Sequence, residues 1–189
     1  MKMKLYVGLV HYPISNKLGE TVTTSVTNMD IHDISRSCKT YGVEKFYLIT
    51  PLQTQHEVVQ RILDHWKDDK NCAYNPDRFN ALSLAELSFS LEDSMKKIEQ
   101  IEGRKPLLVV TGANIKNPSG SVTSLNERIM LDNMPCYLVF GTGWGLHASV
   151  MEQADFRLNP LKCASKDDYN HLSVRSAVAI YLDRLRGSL

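Results

Sequence analysis

A short loop with three glycines is the part of the sequence whose residue types most directly suggest a ligand site. Residues 141–145 read Gly-Thr-Gly-Trp-Gly and follow the apolar run 136–140, which is typical of a buried strand. Glycine here would let backbone N–H and C=O groups approach a ligand closely, because no Cβ stands in the way. A tight structural turn is the alternative, but a place directly after a buried strand favours ligand contact.

The spacing of these glycines excludes the best-known phosphate loops. Leu146 occupies the place of the third glycine in the GxGxxG dinucleotide fingerprint, and the loop lies late in the chain rather than in the first strand-helix unit. No Gly-Lys-Ser/Thr follows, as a P-loop would require. The ligand of this loop must therefore be inferred from its surroundings.

Alternating strands and helices are predicted to position the loop. Apolar runs predict strands at residues 5–10, 46–49, 81–84, 107–110, 136–140 and 156–158. Helical spacing, capping serines and terminal glycines predict helices over residues 30–41, after Leu52, over 90–103, over 125–131, from His147, and over 172–185. The chain is therefore predicted to be an α/β protein, a mostly parallel sheet flanked by helices, in one domain covering residues 1–189.

Three loops at the carboxyl ends of these strands are expected to meet. Ligands of parallel α/β sheets bind at that edge. The loops are 111–113, which reads Thr-Gly-Ala, then 141–145, and the segment from Asn159 onward. The long polar segment 11–28 leaves the same edge and exceeds an ordinary strand-to-helix connection, which is typical of functional loops.

Composition limits the class of protein. Of the 189 residues, 22 are basic and 21 acidic, so an RNA partner would have to be held by a local patch, such as the basic residues among 162–186. The apolar run near the start is too short for a signal sequence or a membrane span, which predicts a cytoplasmic protein. The histidines lack metal-site spacing. The cysteines lack CxxC pairs, which argues against a zinc ribbon or a disulfide framework; they are Cys38, Cys72, Cys136 and Cys163.

Three motifs in a fixed order carry a family resemblance. They are 30–38 (Asp-Ile-His-Asp-Ile-Ser-Arg-Ser-Cys) with 41–43 (Tyr-Gly-Val), then 139–146 (Val-Phe-Gly-Thr-Gly-Trp-Gly-Leu), then 158–160 (Leu-Asn-Pro) with 172–174 (Leu-Ser-Val). Together they resemble the SPOUT class of RNA methyltransferases, related to the SpoU/TrmH and TrmD proteins. Within that class the chain is similar to a bacterial family of S-adenosylmethionine-dependent RNA methyltransferases, found alone or fused behind a tRNA (guanine-N1) methyltransferase.

The resemblance implies a cofactor, a substrate and an assembly. It implies a deep trefoil knot in the C-terminal part of the sheet, S-adenosylmethionine bent into the pocket of the knot loops, RNA (tRNA or rRNA) as substrate, and a homodimer with the pocket near the interface. Trp144 would cover the pocket or contact the partner. The implied cofactor-binding residues are Thr111, Gly112, Gly141, Thr142, Gly143, Trp144, Gly145, Leu158, Pro160, Leu172 and Ser173.

The resemblance also implies catalytic residues. Arg36 matches the arginine that relatives use near the target nucleotide, where its fixed charge could contact phosphate or lower the pKa of an attacking hydroxyl. The candidate general bases are Asp30, His32, Asp33 and His171, and Asp30 ranks first for its place in the motif. Asp30 and Ser173 stand where SpoU-type relatives have asparagine, and Thr142-Gly143 where many have an acidic residue, so the ribose 2′-O mechanism does not transfer directly.

Three functions stay open at this point. The first is methyl transfer from S-adenosylmethionine to RNA, and the second is a non-catalytic SPOUT-like module that binds RNA or cofactor. The third, a nucleotide-dependent enzyme of flavodoxin-like architecture, is disfavoured because no loop has a phosphate signature. Segment 11–28 would either order around a target nucleotide or form a dimer element.

Overall fold

The computed structural model describes residues 3–162 and 164–187 and contains a six-stranded sheet in which every pairing is parallel. A separate two-stranded hairpin follows the first strand. In chain order the strands are β1 (Leu5–Val10), β2 (Ile14–Ser15), β3 (Thr21–Val22), β4 (Lys45–Ile49), β5 (Ala85–Ser88), β6 (Leu107–Val110), β7 (Cys136–Gly141) and β8 (Phe156–Arg157). The sheet order is β5-β4-β1-β7-β6-β8, and β2 pairs with β3.

Eight helices connect and cover the strands of the described chain. They are α1 (Asn28–Thr40), α2 (Gln53–Lys67), α3 (Asp69–Tyr74), α4 (Pro76–Leu82), α5 (Leu91–Glu102), α6 (Val122–Asp132), α7 (Ala148–Glu152) and α8 (Val174–Arg186). Side-chain caps fix several starts, because a hydroxyl accepts a bond from an otherwise unpaired N–H of the first turn. Thr27 caps α1, Ser90 caps α5 and Ser173 caps α8.

The sheet has apolar contacts on both faces. Alternate residues of β1 point to opposite sides, so Leu5, Val7 and Leu9 pack with α1, α6 and α8, whereas Tyr6 and Val10 pack with α5, α7 and the hairpin. Strands buried on both faces are typical of parallel sheets, which explains why β1, β6 and β7 are almost entirely apolar. The predicted mostly parallel α/β fold is confirmed.

The predicted strand at residues 81–84 is wrong. Residues 76–82 form α4, because Pro76 occupies the first helical turn and the Asn75 side chain accepts a hydrogen bond from the Arg78 N–H. Ala81 and Leu82 are buried as part of that helix, and the strand follows at β5. Helix α3 precedes α4 in the polar stretch 67–80, for which the sequence predicts no helix.

Other predicted boundaries differ by a few residues. Helix α8 begins at Val174, so Leu172 and the capping Ser173 precede it, and α6 begins at Val122. Segment 11–28 is not a simple loop, since it contains β2 and β3. The trefoil knot and the single domain over residues 1–189 stay predictions.

Two further observations concern the described residues. No helix within residues 3–162 and 164–187 is both long and apolar enough to cross a membrane. In the same part of the chain, no group of three or more His, Cys, Asp or Glu side chains is placed to hold a metal ion. Cys38, Cys72 and Cys136 have free thiols, and Cys163 lies outside the described residues.

Candidate functional site

A cavity of about 730 Å3 lies at the carboxyl edge of the sheet, within the size range of small-molecule sites. Its walls come from the loops after β6 and β7, which are neighbouring strands, and from residues 170–172 before α8. Helices α7 and α8 close two sides, and Val174, Ala177 and Tyr181 face it from α8. The fold therefore brings the three expected loops to one place.

Most of the residues expected to bind a cofactor line this cavity. They are Thr111, Gly112, Gly141, Gly143, Trp144, Gly145 and Leu172. The remaining four lie beside it with other contacts: Thr142 bonds to Val10, Leu158 is buried in the core, Ser173 caps α8, and Pro160 is half-buried. Contact of any of these residues with a cofactor stays a prediction.

The glycine loop is a tight turn, and two of its positions require glycine for different steric reasons. A Cβ on Gly141 would lie 2.6 Å from the backbone nitrogen of Leu146, closer than real side chains allow. Gly145 has φ +107, a conformation that other residues rarely adopt. The Gly145 N–H donates to the Thr142 carbonyl at 3.0 Å, which closes the turn. The loop thus folds back on itself and leaves Trp144 pointing outward, 61% exposed.

The hairpin after β1 supports this loop. The Ser15 N–H donates to the Gly145 carbonyl at 3.0 Å, and the His147 N–H donates to the Pro13 carbonyl at 3.2 Å. The Thr142 hydroxyl donates to the Val10 carbonyl at 3.1 Å and is hydrogen-bonded to the Thr24 hydroxyl. Sequence reasoning missed this support, although the many hydroxyl residues of segment 11–28 were the available signal.

His11 lies at the base of the same network. It is fully buried directly after β1, and its Nδ1 is 3.0 Å from the Thr24 hydroxyl oxygen. Its Nε2 has no hydrogen-bond partner within the described part of the chain. Burial lowers the pKa of His11 to about 4, and the nearby negative charge of Asp30 opposes that shift only in part. The ring is therefore neutral at physiological pH.

Asp30 is part of an ion-paired junction between α1 and α8. Its buried carboxylate accepts a bond from Arg175 Nη1 at 3.0 Å and another from the Thr27 hydroxyl at 2.6 Å. Arg175 also lies 3.4 Å from Asp33, through Nε. Sequence reasoning counted Arg175 among the basic residues of the last part of the chain and missed its pairing with Asp30, because nothing along the chain predicts that the first turns of α1 and α8 are adjacent.

Arg36 lies away from the cavity of its own chain. It is exposed on the outer side of α1, beside His32, whose ring meets the edge of Trp66. Burial lowers the pKa of His32, and the positive charges of Arg78 and Arg36 lower it further against the opposing effect of Asp33. Arg36 is not among the residues that line the cavity. Of the four candidate bases, His171 is the one that lines the cavity.

The fold is that of the SpoU methyltransferases. The structure of the SpoU methyltransferase AviRb from Streptomyces viridochromogenes, solved in complex with AdoMet, matches with a TM-score of 0.58 and 14% identity. The match covers 97% of this chain and 56% of that chain. At this identity the likeness establishes the shared fold.

The family follows from the sequence. Residues 4–187 match the family model described as SAM-dependent RNA methyltransferase, so the chain belongs to that family. This confirms the resemblance inferred from the three motifs. The AdoMet dependence of the family also agrees with the cofactor predicted for the glycine loop.

Two curated relatives extend the comparison. A tRNA (guanine-N(1)-)-methyltransferase of Oleidesulfovibrio alaskensis is 41% identical over 97% of this chain but 42% of its own length. The chain therefore spans less than half of that relative. An uncharacterized protein of Aquifex aeolicus is 38% identical, over 96% of this chain and 87% of its own length.

Proposed function

We propose that this chain binds S-adenosylmethionine in the cavity at the carboxyl edge of the sheet and transfers its methyl group to a tRNA or rRNA nucleotide, as one domain acting in the cytoplasm. The observation that carries the proposal is the convergence of the loops after β6 and β7 on one cavity, in a chain of this family. The name of the Oleidesulfovibrio relative supports tRNA as substrate. Most of that relative lies outside the matched region, so its guanine-N1 activity does not carry over to this chain.

The cavity walls fit the parts of this cofactor. Phe140, Leu161 and Tyr181 offer apolar surface for an adenine ring, and the glycine loops give access to backbone groups. Lys116 and Arg157 would suit the carboxylate of the methionine part, and Glu152 would suit its ammonium group. When bound, the cofactor supplies an activated methyl group on a sulfonium, so the protein has mainly to align the nucleophile and accept a proton.

The contacts favour different roles for His171 and Asp30, two of the candidate general bases. His171 faces the cavity and would accept a proton there. Asp30 is held by Arg175 and Thr27, contacts that favour a role in positioning α8. The assignment of Asp30 as general base stays a prediction, as does the contact of Arg36 with the target nucleotide.

We further propose that the active unit is a homodimer. Arg36 is exposed and does not line the cavity of its own chain, so a second copy would have to bring Arg36 to the cavity mouth. Mixing two inactive variants, Arg36→Ala and Gly143→Val, tests this directly. Regained activity in the mixture would support a shared site, because a mixed dimer holds one site with both intact residues. Activity of an isolated monomer would contradict it.

The first experiment is calorimetric titration with S-adenosylmethionine and S-adenosylhomocysteine. Gly143→Val should abolish binding, because Gly143 lies on the cavity wall at φ +57, where a β-branched side chain is strained. Gly19→Val is the matched control, since Gly19 has φ +80 in the hairpin turn and is not on the cavity wall. Equal binding by both variants would overturn the assignment of the cavity.

The second experiment separates enzyme from binding module. Transfer of labelled methyl from S-adenosylmethionine to total RNA would establish catalysis. Arg36→Ala should abolish transfer and spare cofactor affinity, while Lys39→Ala, an exposed cation of the same helix, should leave transfer unchanged. A wild-type protein that binds cofactor and RNA without transfer would instead support the module.

A further inference from the structure

Exposed aromatic side chains from two separate segments stand at the rim of the cavity. Trp144, at the tip of the glycine loop, is 61% exposed. Tyr169, directly before the stretch 170–172 that lines the cavity, is 63% exposed. The ring of His171 meets the ring of Tyr169 in a T-shaped contact with 5.2 Å between centroids. Flat π surfaces therefore border the cavity from both loops.

The outward position of Trp144 is built into the backbone. The turn closes through the Gly145 N–H and the Thr142 carbonyl, and the hairpin holds it through Ser15. Gly143 and Gly145, the residues on either side of Trp144, both have positive φ, a conformation that favours glycine and sets the course of the backbone on both sides of Trp144. An exposed indole offers a ligand a large apolar face, and covering it would add the stabilisation that burial gives.

The charges beside these rings suit a nucleotide. Lys116 and Arg157 line the cavity, and Lys162 and Lys166 are exposed in the segment that leads to Tyr169. Asp167 and Asp168 lie in that segment too, and the Asp167 carboxylate accepts bonds from the Ser165 hydroxyl and from the Tyr169 N–H. Cations next to exposed aromatic rings are the combination by which proteins bind unstacked bases of single-stranded RNA.

We propose that Trp144 and the Tyr169–His171 pair form an aromatic clamp that stacks on an unpaired RNA base at the cavity mouth, with Lys162 and Lys166 supplying positive charge for its phosphate. This proposal rests on the proposed function, since it names how the substrate nucleotide is held. Every base has a π face, so the clamp selects single-stranded over paired RNA rather than one base over another. It also explains how a chain with a formal net charge of only +1 can hold RNA.

Tryptophan fluorescence tests the clamp. The chain contains two tryptophans, so Trp66→Phe leaves Trp144 as the sole reporter. The probes are a short single-stranded RNA of mixed sequence and the same RNA annealed to its complement. We expect the single strand to quench Trp144 and the duplex to quench it much less. Absence of quenching at RNA concentrations that saturate binding would overturn the proposal.

Matched variants separate stacking from other contacts. Trp144→Leu and Tyr169→Leu should each weaken single-strand binding about tenfold, while Trp144→Phe and Tyr169→Phe stay within about threefold because a stacking ring remains. Tyr74→Leu is the control, since Tyr74 is 86% exposed on α3, away from the cavity. An equal loss in Tyr74→Leu would overturn the clamp.

Two further outcomes are distinguishable. If Trp144→Leu converts a dimer to a monomer in sedimentation and leaves RNA affinity unchanged, then Trp144 contacts a partner chain and the clamp is overturned. Calorimetry on the wild-type protein separates this from the proposed function. Quenching by RNA without S-adenosylmethionine binding would support the clamp and overturn the proposed function. Cofactor binding with RNA affinity unaffected by the leucine variants would overturn the clamp alone.

Discussion

The residues predicted to bind the cofactor lie mainly on the cavity loops, and the predicted catalytic residues Asp30 and Arg36 lie on the first part of α1. The structure places these two groups differently. The glycine loop, the loop after β6 and Leu172 meet at one cavity. Asp30 and Arg36, the expected catalytic residues, do not line this cavity: Asp30 is buried against Arg175, and Arg36 is exposed on the outer side of α1. Sequence analysis therefore predicted the location of the loop glycines, whose identity follows from backbone geometry, better than the location of the charged side chains expected to do chemistry.

The difference has a physical origin. A glycine after a buried strand is demanded by local geometry, as at Gly141, where a Cβ would collide with Leu146. A carboxylate or guanidinium on a helix can face a neighbouring helix, solvent or a second chain at similar local cost. Only the packing of α1 against α8 decides between these for Asp30, and sequence spacing does not contain that packing.

Gly141→Ala should have the largest effect, and it tests the backbone-determined part. The added methyl would lie 2.6 Å from the Leu146 nitrogen, so the turn must open. We expect a loss of about 3 kcal/mol in the free energy of unfolding, measured by urea denaturation, typical of severe overpacking. Affinity for S-adenosylmethionine should fall about a hundredfold, measured by calorimetry.

Gly112→Ala is the control on the same cavity. Its Cβ would lie 3.3 Å from the side chain of Ile115, which can move by a few tenths of an ångström. We expect that variant to lose less than about 1 kcal/mol of stability. Wild-type cofactor affinity in Gly141→Ala would show that the turn does not shape the site.

Sequence patterns predicted the sheet strands well where burial is complete. The apolar runs at β1, β6 and β7 placed those strands within a residue or two, because strands buried on both faces must be apolar throughout. Strand β5 was misplaced, because it lies at the sheet edge, is only partly buried and follows a helix started by Pro76. The support of the glycine loop by the hairpin was not predicted, because it depends on contacts between residues more than a hundred positions apart.

Acid should destabilise the protein through protonation of His11, which lies between the hydrogen-bond network of the glycine loop and Asp30 of α1. Its pKa is about 4 in the folded protein and 6.5 in an unfolded chain, so the unfolded chain binds the proton first as pH falls. The stability that the neutral ring provides is complete above pH 6.5 and is lost as pH falls toward about 4. The loss should approach about 3 kcal/mol over that range.

Urea unfolding of the wild-type protein and of His11→Gln across that range measures this effect. The stability difference between the two proteins should shrink as pH falls, because glutamine does not titrate. His32, whose pKa is also lowered, is present in both proteins and cancels from the difference. Asp30 is the charged group near His11, so its own titration is checked in Asp30→Asn. A difference independent of pH would mean that folding does not lower the pKa of His11.

Asp30→Asn should have the smallest of these effects on stability. This variant distinguishes a role of Asp30 in positioning α8 from a role as general base. The change keeps the shape of the side chain but removes the charge that Arg175 and Thr27 contact at 3.0 and 2.6 Å. We expect a loss of about 2 kcal/mol, the usual value for a charged hydrogen bond away from water. Asp33→Asn should cost less than about 0.5 kcal/mol, because Asp33 is 53% exposed and only the second partner of Arg175.

Methyl transfer by the two variants separates structure from catalysis. If Asp30 positions α8, Asp30→Asn should lower activity only modestly at a temperature where it is folded, with the pH dependence of the rate unchanged. If Asp30 is the general base, activity should fall by orders of magnitude with cofactor affinity intact, and the acid limb of the pH profile should disappear. The second result would mean that Arg175 releases Asp30 when RNA binds. Asp30 of α1 would then take part in catalysis at the cavity, together with the loop residues.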